Sequence, residues 1–313
     1  MTLEAGQRAL AAASAVTLWT SAKAPRDSDR LSLGTPAAIR EWVSGMTRES
    51  RVDGLVDRTL TQIPLGDEVT ITEIEDGWAR VIVAGQPSSL DDQGYPGWVP
   101  LAQLTTQVPT PEGVEHIVSA TATTVRDEPG GDVTIPGVTL GTRLTVVGDA
   151  YRGWANVVLP GPQPTGWVRL HDLVTAPTGT VSAVSGRLDI IATAQQLLDV
   201  PYVWGGLTAY GLDCSGLVYL VYRQLGMTLP RDAHDQATAT TPITLGEEKP
   251  GDLYFFAHKG KQIHHIGIAA SPDDAGRPTM IHAAGNYGKV VQETIPADRL
   301  ETLVAVHRVF DDE

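Results

Sequence analysis

The sequence predicts an α+β chain: two small antiparallel β-barrels followed by a mixed domain that carries the chemistry. Three observations predict it. Alternating strands and Gly-Trp pairs recur twice within residues 1–175, a Pro-, Gly-, Thr- and Ser-rich break occupies 176–186, and helical spacing beyond that break leads to the one cysteine, Cys214. With 313 residues, 42% hydrophobic and 19% charged, the chain is long and apolar enough for several cores. A net charge of -14 argues against a nucleic-acid surface and an anionic-membrane patch, both of which need clustered Lys and Arg. A single cysteine rules out an intrachain disulfide and a Cys-based zinc knuckle, so the thiol is either a small buried hydrophobe or a reagent.

In the first copy of the repeat, Val69–Ile74 runs into Asp76-Gly77-Trp78 and a strand to Val83, followed by Gly97-Trp98 and Leu104. In the second, Arg143–Val147 runs into Arg152-Gly153-Trp154 and a strand to Leu159, followed by Gly166-Trp167 and Leu173. Period-two alternation between Gly and Pro turns reads as short strands closing into barrels. These repeats resemble bacterial SH3 domains. The first copy carries an insertion at 31–57, where Thr35 before Pro36 and the apolar residues Ile39, Trp42, Val43 and Met46 predict a capped helix. The expected boundaries are 1–107 for the first unit, 108–175 for the second, 176–186 for the linker and 187–313 for the third domain.

In the third domain, Ile190, Ile191, Ala194, Leu197 and Leu198 predict a helix that Pro201 ends. Leu217, Val218, Leu220, Val221 and Leu225 trace one face of a second helix, ending at Gly226, which places Cys214 at its first turn. Free backbone N–H groups and the helix dipole favour thiolate at that position, with Asp213 as cap. Three strands follow, at 252–256, 263–269 and 279–283. Period two puts His265 with the small residues Gly267 and Ala269, and His264 on the opposite face. His265 is the expected base and His282, on the next strand, the group that orients it. A zinc site formed by His258, His264, His265 and His282 is disfavoured by the alternating faces and by the lack of a carboxylate at ligand spacing.

Pro201–Gly206, Asp213–Val218, Pro250–Phe256, His265–Ile268 and Ile281–Ala283 occur in the order seen in the NlpC-type family of papain-like cell-wall peptidases, which the third domain resembles. The resemblance implies Cys214 as nucleophile, His265 as base and His282 as third member. It also implies hydrolysis of the bond between γ-D-glutamate and a diamino acid, diaminopimelate or lysine, in peptidoglycan stem peptides. With SH3 units in front, the chain looks like the subgroup that requires a free N-terminal L-alanine. Leu229–Gln236 is similar to that subgroup's amine-binding segment, implying Asp232 as the ammonium anchor, and Asp91–Trp98 resembles the loop whose tyrosine, here Tyr95, closes over the alanine. Asp213, Ser215 and Trp204 complete the expected substrate-contacting set, with Trp204 read mainly as packing beneath the site and Arg231 with Asp235 as a solvated surface pair. The segment 270–278 lengthens the interval between His265 and His282 relative to the family.

This chemistry calls for no metal or organic cofactor. The expected partners are peptidoglycan-derived peptides, with no nucleic acid and no transmembrane segment. No stretch approaches the roughly 18 apolar residues of a membrane helix, and the apolar segment from Ala9 to Trp19 lacks a cleavage site, so the chain reads as mature and cytoplasmic; export is the alternative had a signal been removed. Rival functions on the same Cys-His core are a muramoyl-alanine amidase or a transpeptidase, and an inactive wall-binding protein is the rival from another class.

Overall fold

A computed structural model describes residues 3–107, 112–177 and 183–310. The first unit contains strands β1 (Arg8–Ala11), β2 (Ala15–Trp19), β3 (Thr59–Pro64), β4 (Glu68–Glu75), β5 (Trp78–Val83), β6 (Tyr95–Pro100) and β7 (Leu104–Thr105). The second contains β8 (Val114–Val118), β9 (Ala122–Arg126), β10 (Val133–Thr139), β11 (Arg143–Tyr151), β12 (Trp154–Val158), β13 (Thr165–Arg169) and β14 (Leu173–Thr175). The sheet orders are β3-β2-β6-β5-β4-β1-β7 and β10-β9-β13-β12-β11-β8-β14. The second is the first with every strand moved on by seven, so the sequence repeat is also a topological repeat, and both sheets fit SH3-like units.

The two Gly-Trp pairs of each copy serve different physical needs. In the first pair, Asp76 and Gly77 have φ of 48° and 80°, and Arg152 and Gly153 have 50° and 81°. Two consecutive positive φ values make the tight hairpin turn whose twist matches its strands. In the second pair the glycine lies within a strand. A Cβ on Gly97 would sit 2.5 Å from Leu18 Cγ, and one on Gly166 would sit 2.3 Å from Val125 Cγ1, so glycine there lets the core close.

The insertion holds three short helices, α1 (Arg30–Leu33), α2 (Ile39–Ser44) and α3 (Arg48–Val52). Ile39, Trp42, Val43 and Met46 are buried as their spacing predicts. Thr35 does not cap α2. The Ala38 N–H bonds the Leu31 carbonyl, which ties the intervening residues into a turn against α1 and makes Ala38 the cap position. Thr47 does cap α3, accepting from the Ser50 N–H at 3.1 Å.

The third domain opens with α4 (Ala183–Gln196), which starts earlier than the expected boundary at 187; residues 178–182 of the expected linker lie outside the described residues. A small hairpin, β15 (Leu207–Thr208) and β16 (Gly211–Leu212), leads to α5 (Cys214–Gln224) and α6 (Ala233–Thr238). A six-stranded antiparallel sheet follows, from β17 (Thr241–Ile243), β18 (Leu253–Ala257), β19 (Ile263–Ala270), β20 (Thr279–Ala284), β21 (Lys289–Thr294) and β22 (Leu303–Arg308), in the order β17-β22-β18-β19-β20-β21. A short helix, α7 (Ala297–Leu300), connects the last two strands.

Helix α5 was expected to bury one face, yet every residue from Cys214 to Arg223 is buried. One side packs on Phe255, Ile266, Ile268 and Ile281 of the sheet; the β units cover the other. Tyr219 donates to the Gly85 carbonyl at 2.7 Å, and Arg223 holds Asp67 of the first unit through two bonds of 2.6 and 2.8 Å while donating to the Gly141 carbonyl of the second at 3.0 Å. Arg223 therefore pins all three parts of the chain at one point, with a planar bidentate geometry that lysine cannot reproduce.

Candidate active site

Cys214 occupies the first turn of α5, and the residue before it organises the site. Asp213 Oδ1 accepts from the Gly216 N–H at 2.6 Å, which is the helix cap, while Oδ2 accepts from the Gly205 N–H at 2.9 Å and so fastens the preceding loop to the helix. Arg231, fully buried, donates to both Asp213 oxygens at 3.0 and 2.8 Å, to Ser215 Oγ at 2.9 Å and to Thr61 Oγ1 at 2.7 Å. The surface pair expected between Arg231 and Asp235 is not formed, because a buried guanidinium needs a desolvated carboxylate and Asp213 supplies it; Asp235 accepts instead from the Ser89 N–H at 2.9 Å.

Burial opposes the expected bias toward thiolate. Burial, and then the charge of Asp213, push the Cys214 thiol up to about 12, against the backbone N–H groups of Ile266 and Ser215 and the charge of Arg231. The rise from 9.0 to about 12 opposes ionisation by about 4 kcal/mol, whereas a helix N-terminus returns only about 0.3–2 kcal/mol. Burial and Asp213 thus favour the neutral thiol over the thiolate in the free protein.

The Ile266 N–H that reaches Cys214 belongs to the residue after His265 on β19. His265 is buried and His264 exposed, as the period of two predicts. His265 Nε2 lies 2.7 Å from His282 Nδ1, with the rings edge to face, which leaves His265 Nδ1 as its free nitrogen. The long segment before β20 is taken up in a loop: β19 and β20 pair from Ala270 with Thr279, and His282 arrives beside His265 regardless. A Cβ on Gly267 would stand 2.8 Å from Met280 Sδ and 3.3 Å from His282 Cβ, so glycine keeps this lane open. Burial, followed by the neighbouring charges of His282 and Arg299, holds His265 well below the ordinary histidine range. The four histidines considered for zinc fall into two pairs, His265 with His282 and His258 stacked on His264 at 4.6 Å.

Sequence reasoning missed three neighbours of this cluster. Glu293 on β21 has Oε1 3.0 Å from His282 Nε2, and its Oε2 accepts from the Tyr287 hydroxyl at 2.9 Å. Tyr202 is buried, and burial, followed by the adjacent Cys214 and Asp213 charges, raises its phenol well above the ordinary value. Arg51 of α3 reaches into the third domain, donating to the Tyr202 carbonyl at 3.0 Å and the Gly288 carbonyl at 3.1 Å, so the insertion braces the loop that leads to the cysteine. The one signal available was the position of Tyr202 in the Pro201–Gly206 motif.

The first β unit also reaches Asp232, the residue after Arg231. Tyr95 of β6 is buried and donates to Asp232 Oδ2 at 2.8 Å across the domain boundary. Burial raises the Asp232 carboxyl, with Arg231 and the Tyr95 hydroxyl opposing. Trp204 does not pack beneath the site: the residue is 40% exposed, and its backbone is held by the Arg51 carbonyl and the Thr59 hydroxyl. Ser215 Oγ is taken by Arg231 and Asp213.

The NlpC/P60 family pattern matches residues 199–307. Over nearly its whole length the chain is also similar to the γ-D-glutamyl-L-lysine dipeptidyl-peptidase of Bacillus subtilis (strain 168), with 32% identity over 302 residues, 94% of this chain and 96% of that protein. The chain belongs to the NlpC/P60 family. A second relative, the γ-D-glutamyl-L-lysine dipeptidyl-peptidase of Bacillus cereus (strain ATCC 10987), is 32% identical over 279 residues, 86% of this chain and 81% of that protein. The crystal structure of an NlpC/P60 family protein from Bacillus cereus ATCC 10987 superposes with a TM-score of 0.84 at 26% identity, covering 96% of this chain and 99% of that one. The NlpC/P60 match holds Cys214, Asp232, His265 and His282 but stops short of Tyr95, so the likeness across the β units is what extends the comparison to the tyrosine end of the site. The NlpC/P60 proteins are cysteine-type peptidases, and this chain is one of them.

Proposed function

We propose that the protein hydrolyses the bond between γ-D-glutamate and the diamino acid of peptidoglycan-derived peptides whose N-terminal L-alanine is free, as a step in recycling wall fragments in the cytoplasm. The observation that carries this reading is the Tyr95–Asp232 pair, a half-buried carboxylate held by a tyrosine from another domain near the nucleophile's network. A buried carboxylate repays its desolvation when an ammonium meets it. A sugar-linked or acetylated alanine brings no such charge and adds bulk beside the Tyr95–Asp232 pair. The names of the full-length relatives support the same geometry, since a dipeptidyl-peptidase counts its cut from a free amine.

In this reading Cys214 is the nucleophile, His265 the base and His282 the group that orients it. As Sγ attacks the γ-carbonyl, its proton passes to His265 Nδ1; the tetrahedral intermediate collapses when that proton moves to the leaving amine, giving a thioester and the free diamino acid. Water then attacks the thioester, giving a proton to His265, which returns it to sulfur as L-Ala-D-Glu departs. Among the described residues the Cys214 N–H has no acceptor, and the Tyr202 hydroxyl makes no hydrogen bond, so both are free to meet the oxyanion. No helix among the described residues is long and apolar enough to cross a membrane. The test is mass spectrometry of L-Ala-γ-D-Glu-L-Lys and its diaminopimelate counterpart after incubation. L-Ala-D-Glu and the free diamino acid are expected, with Cys214→Ala inert; release of intact peptide from a muramoyl group, or ligation, would overturn the reading.

A further inference from the structure

The hydrogen-bonded path from the base does not stop at His282. It continues to Glu293 and there branches to Tyr287, through 2.7 Å from His265 Nε2 to His282 Nδ1, 3.0 Å from His282 Nε2 to Glu293 Oε1, and 2.9 Å from the Tyr287 hydroxyl to Glu293 Oε2. The sheet register makes this possible. His282 pairs with Val291 and Met280 with Glu293, so Glu293 sits diagonally from His282 on the same face, within reach of a long side chain. His282 is wholly buried, whereas Glu293 keeps 17% of its side chain exposed. The carboxylate therefore stands between solvent and an imidazole that has none.

A neutral imidazole has one N–H and one lone pair, and an ionised carboxylate only accepts. We propose that Glu293 is a positioning residue that sets the direction of protons along the whole path. Accepting from His282 Nε2, it puts the His282 proton there and makes His282 Nδ1 an acceptor. His282 Nδ1 then takes the hydrogen of His265 Nε2, and His265 Nδ1 is left with a lone pair. That is the only tautomer in which His265 can remove the proton of a neutral Cys214 thiol. Reverse the direction and His265 Nδ1 carries a hydrogen and is no base.

Two neighbours support this direction. Tyr287 donates to the second carboxylate oxygen, so Glu293 has no need of a proton of its own. Arg299 lies with Nε 3.8 Å from Glu293 Oε1, a cation that favours the ionised carboxylate and disfavours imidazolium on both histidines. A purely structural bond from a buried histidine to a carboxylate would need neither the second histidine nor a fixed direction.

This inference rests on the catalytic assignment of Cys214 and His265, but its first readout does not need turnover. ¹⁵N-histidine NMR of the resting protein is expected to show His282 protonated on Nε2 and His265 on Nε2. In Glu293→Ala, and in Glu293→Gln, which fills the same space without charge and offers donor and acceptor alike, His282 should lose its single tautomer. The kcat for the free tripeptide should fall about 10–100-fold while KM changes less than about threefold. If the alanine variant does not fold, the glutamine variant decides. Wild-type protein with the proton on His265 Nδ1, variants with unchanged tautomers, or kcat within about threefold of wild type would each overturn the proposal. A Cys214→Ala protein that still cleaves would instead sink the functional reading and leave the tautomer result standing.

Discussion

Raising the pH in the presence of iodoacetamide tests the ionisation state of Cys214 in the free protein. With the thiol pushed up to about 12 by burial and by Asp213, the thiolate fraction at pH 7 is about 10⁻⁵. Granting the helix terminus its full value of about 2 kcal/mol lowers the titration to roughly 10.5, still far above neutrality. The sign is that of an acid whose folded value is raised: the reactive form grows as pH rises. The logarithm of the alkylation rate should therefore climb by about one per pH unit from 6 to 9, a hundredfold gain between pH 7 and 9. His265→Ala should leave that line in place, because a neutral imidazole held well below its ordinary range lends the resting sulfur no charge. The assay is the second-order rate of Cys214 carbamidomethylation by mass spectrometry, with circular dichroism checking that the fold persists. A flat profile from pH 5 to 8 that collapses in His265→Ala would instead mean a resting thiolate–imidazolium pair.

Asp232→Asn keeps a partner for Tyr95 but removes the charge. The account predicts a rise in KM for free-amine peptides of about 10–150-fold, corresponding to roughly 1.5–3 kcal/mol for a charge-assisted bond, with kcat little changed in steady-state assays. Tyr95→Phe removes the hydroxyl that lowers the already raised Asp232 carboxyl. Binding, which is lost as pH falls through that carboxyl, should then be lost at a higher pH than in wild type, read from the pH dependence of KM. Arg223→Ala leaves Asp67 unpaired where the two side chains are only 9% and 12% exposed; a cost of about 3–5 kcal/mol should appear as a lower Tm, and an unchanged Tm would mean that the three parts are held together elsewhere.

The fold was legible wherever local chemistry decides it. Asp76-Gly77 announces a hairpin turn from its residue types, the repeat extends that turn to Arg152-Gly153, and the order of the repeats carried through to two sheets of one topology. The motifs around Cys214 and His265 likewise mark a helix start and a strand with one buried histidine. What stayed hidden depends on partners distant in sequence. Nothing near Arg231 indicates that its carboxylate is Asp213 rather than Asp235, and nothing near Arg223 indicates Asp67. The pattern of α5 predicts one apolar face because Tyr219 and Arg223 read as polar, yet their polar ends meet the β units and the helix is enclosed. Glu293 lies in a short strand rich in polar residues, where alternation says which face it takes but not that His282 waits across the sheet. The opposing effects on the Cys214 thiol divide the same way: a helix start is visible in sequence, and burial is not.

Whether Tyr95 and Asp232 select a free amine for Cys214 is decided by comparing kcat/KM for L-Ala-γ-D-Glu-L-diamino acid with that for its N-acetylated form on the same preparation. A preference for the free amine of about 30-fold or more, equivalent to roughly 2 kcal/mol, is expected, and it should shrink severalfold in Asp232→Asn. Equal rates for the two peptides would contradict it.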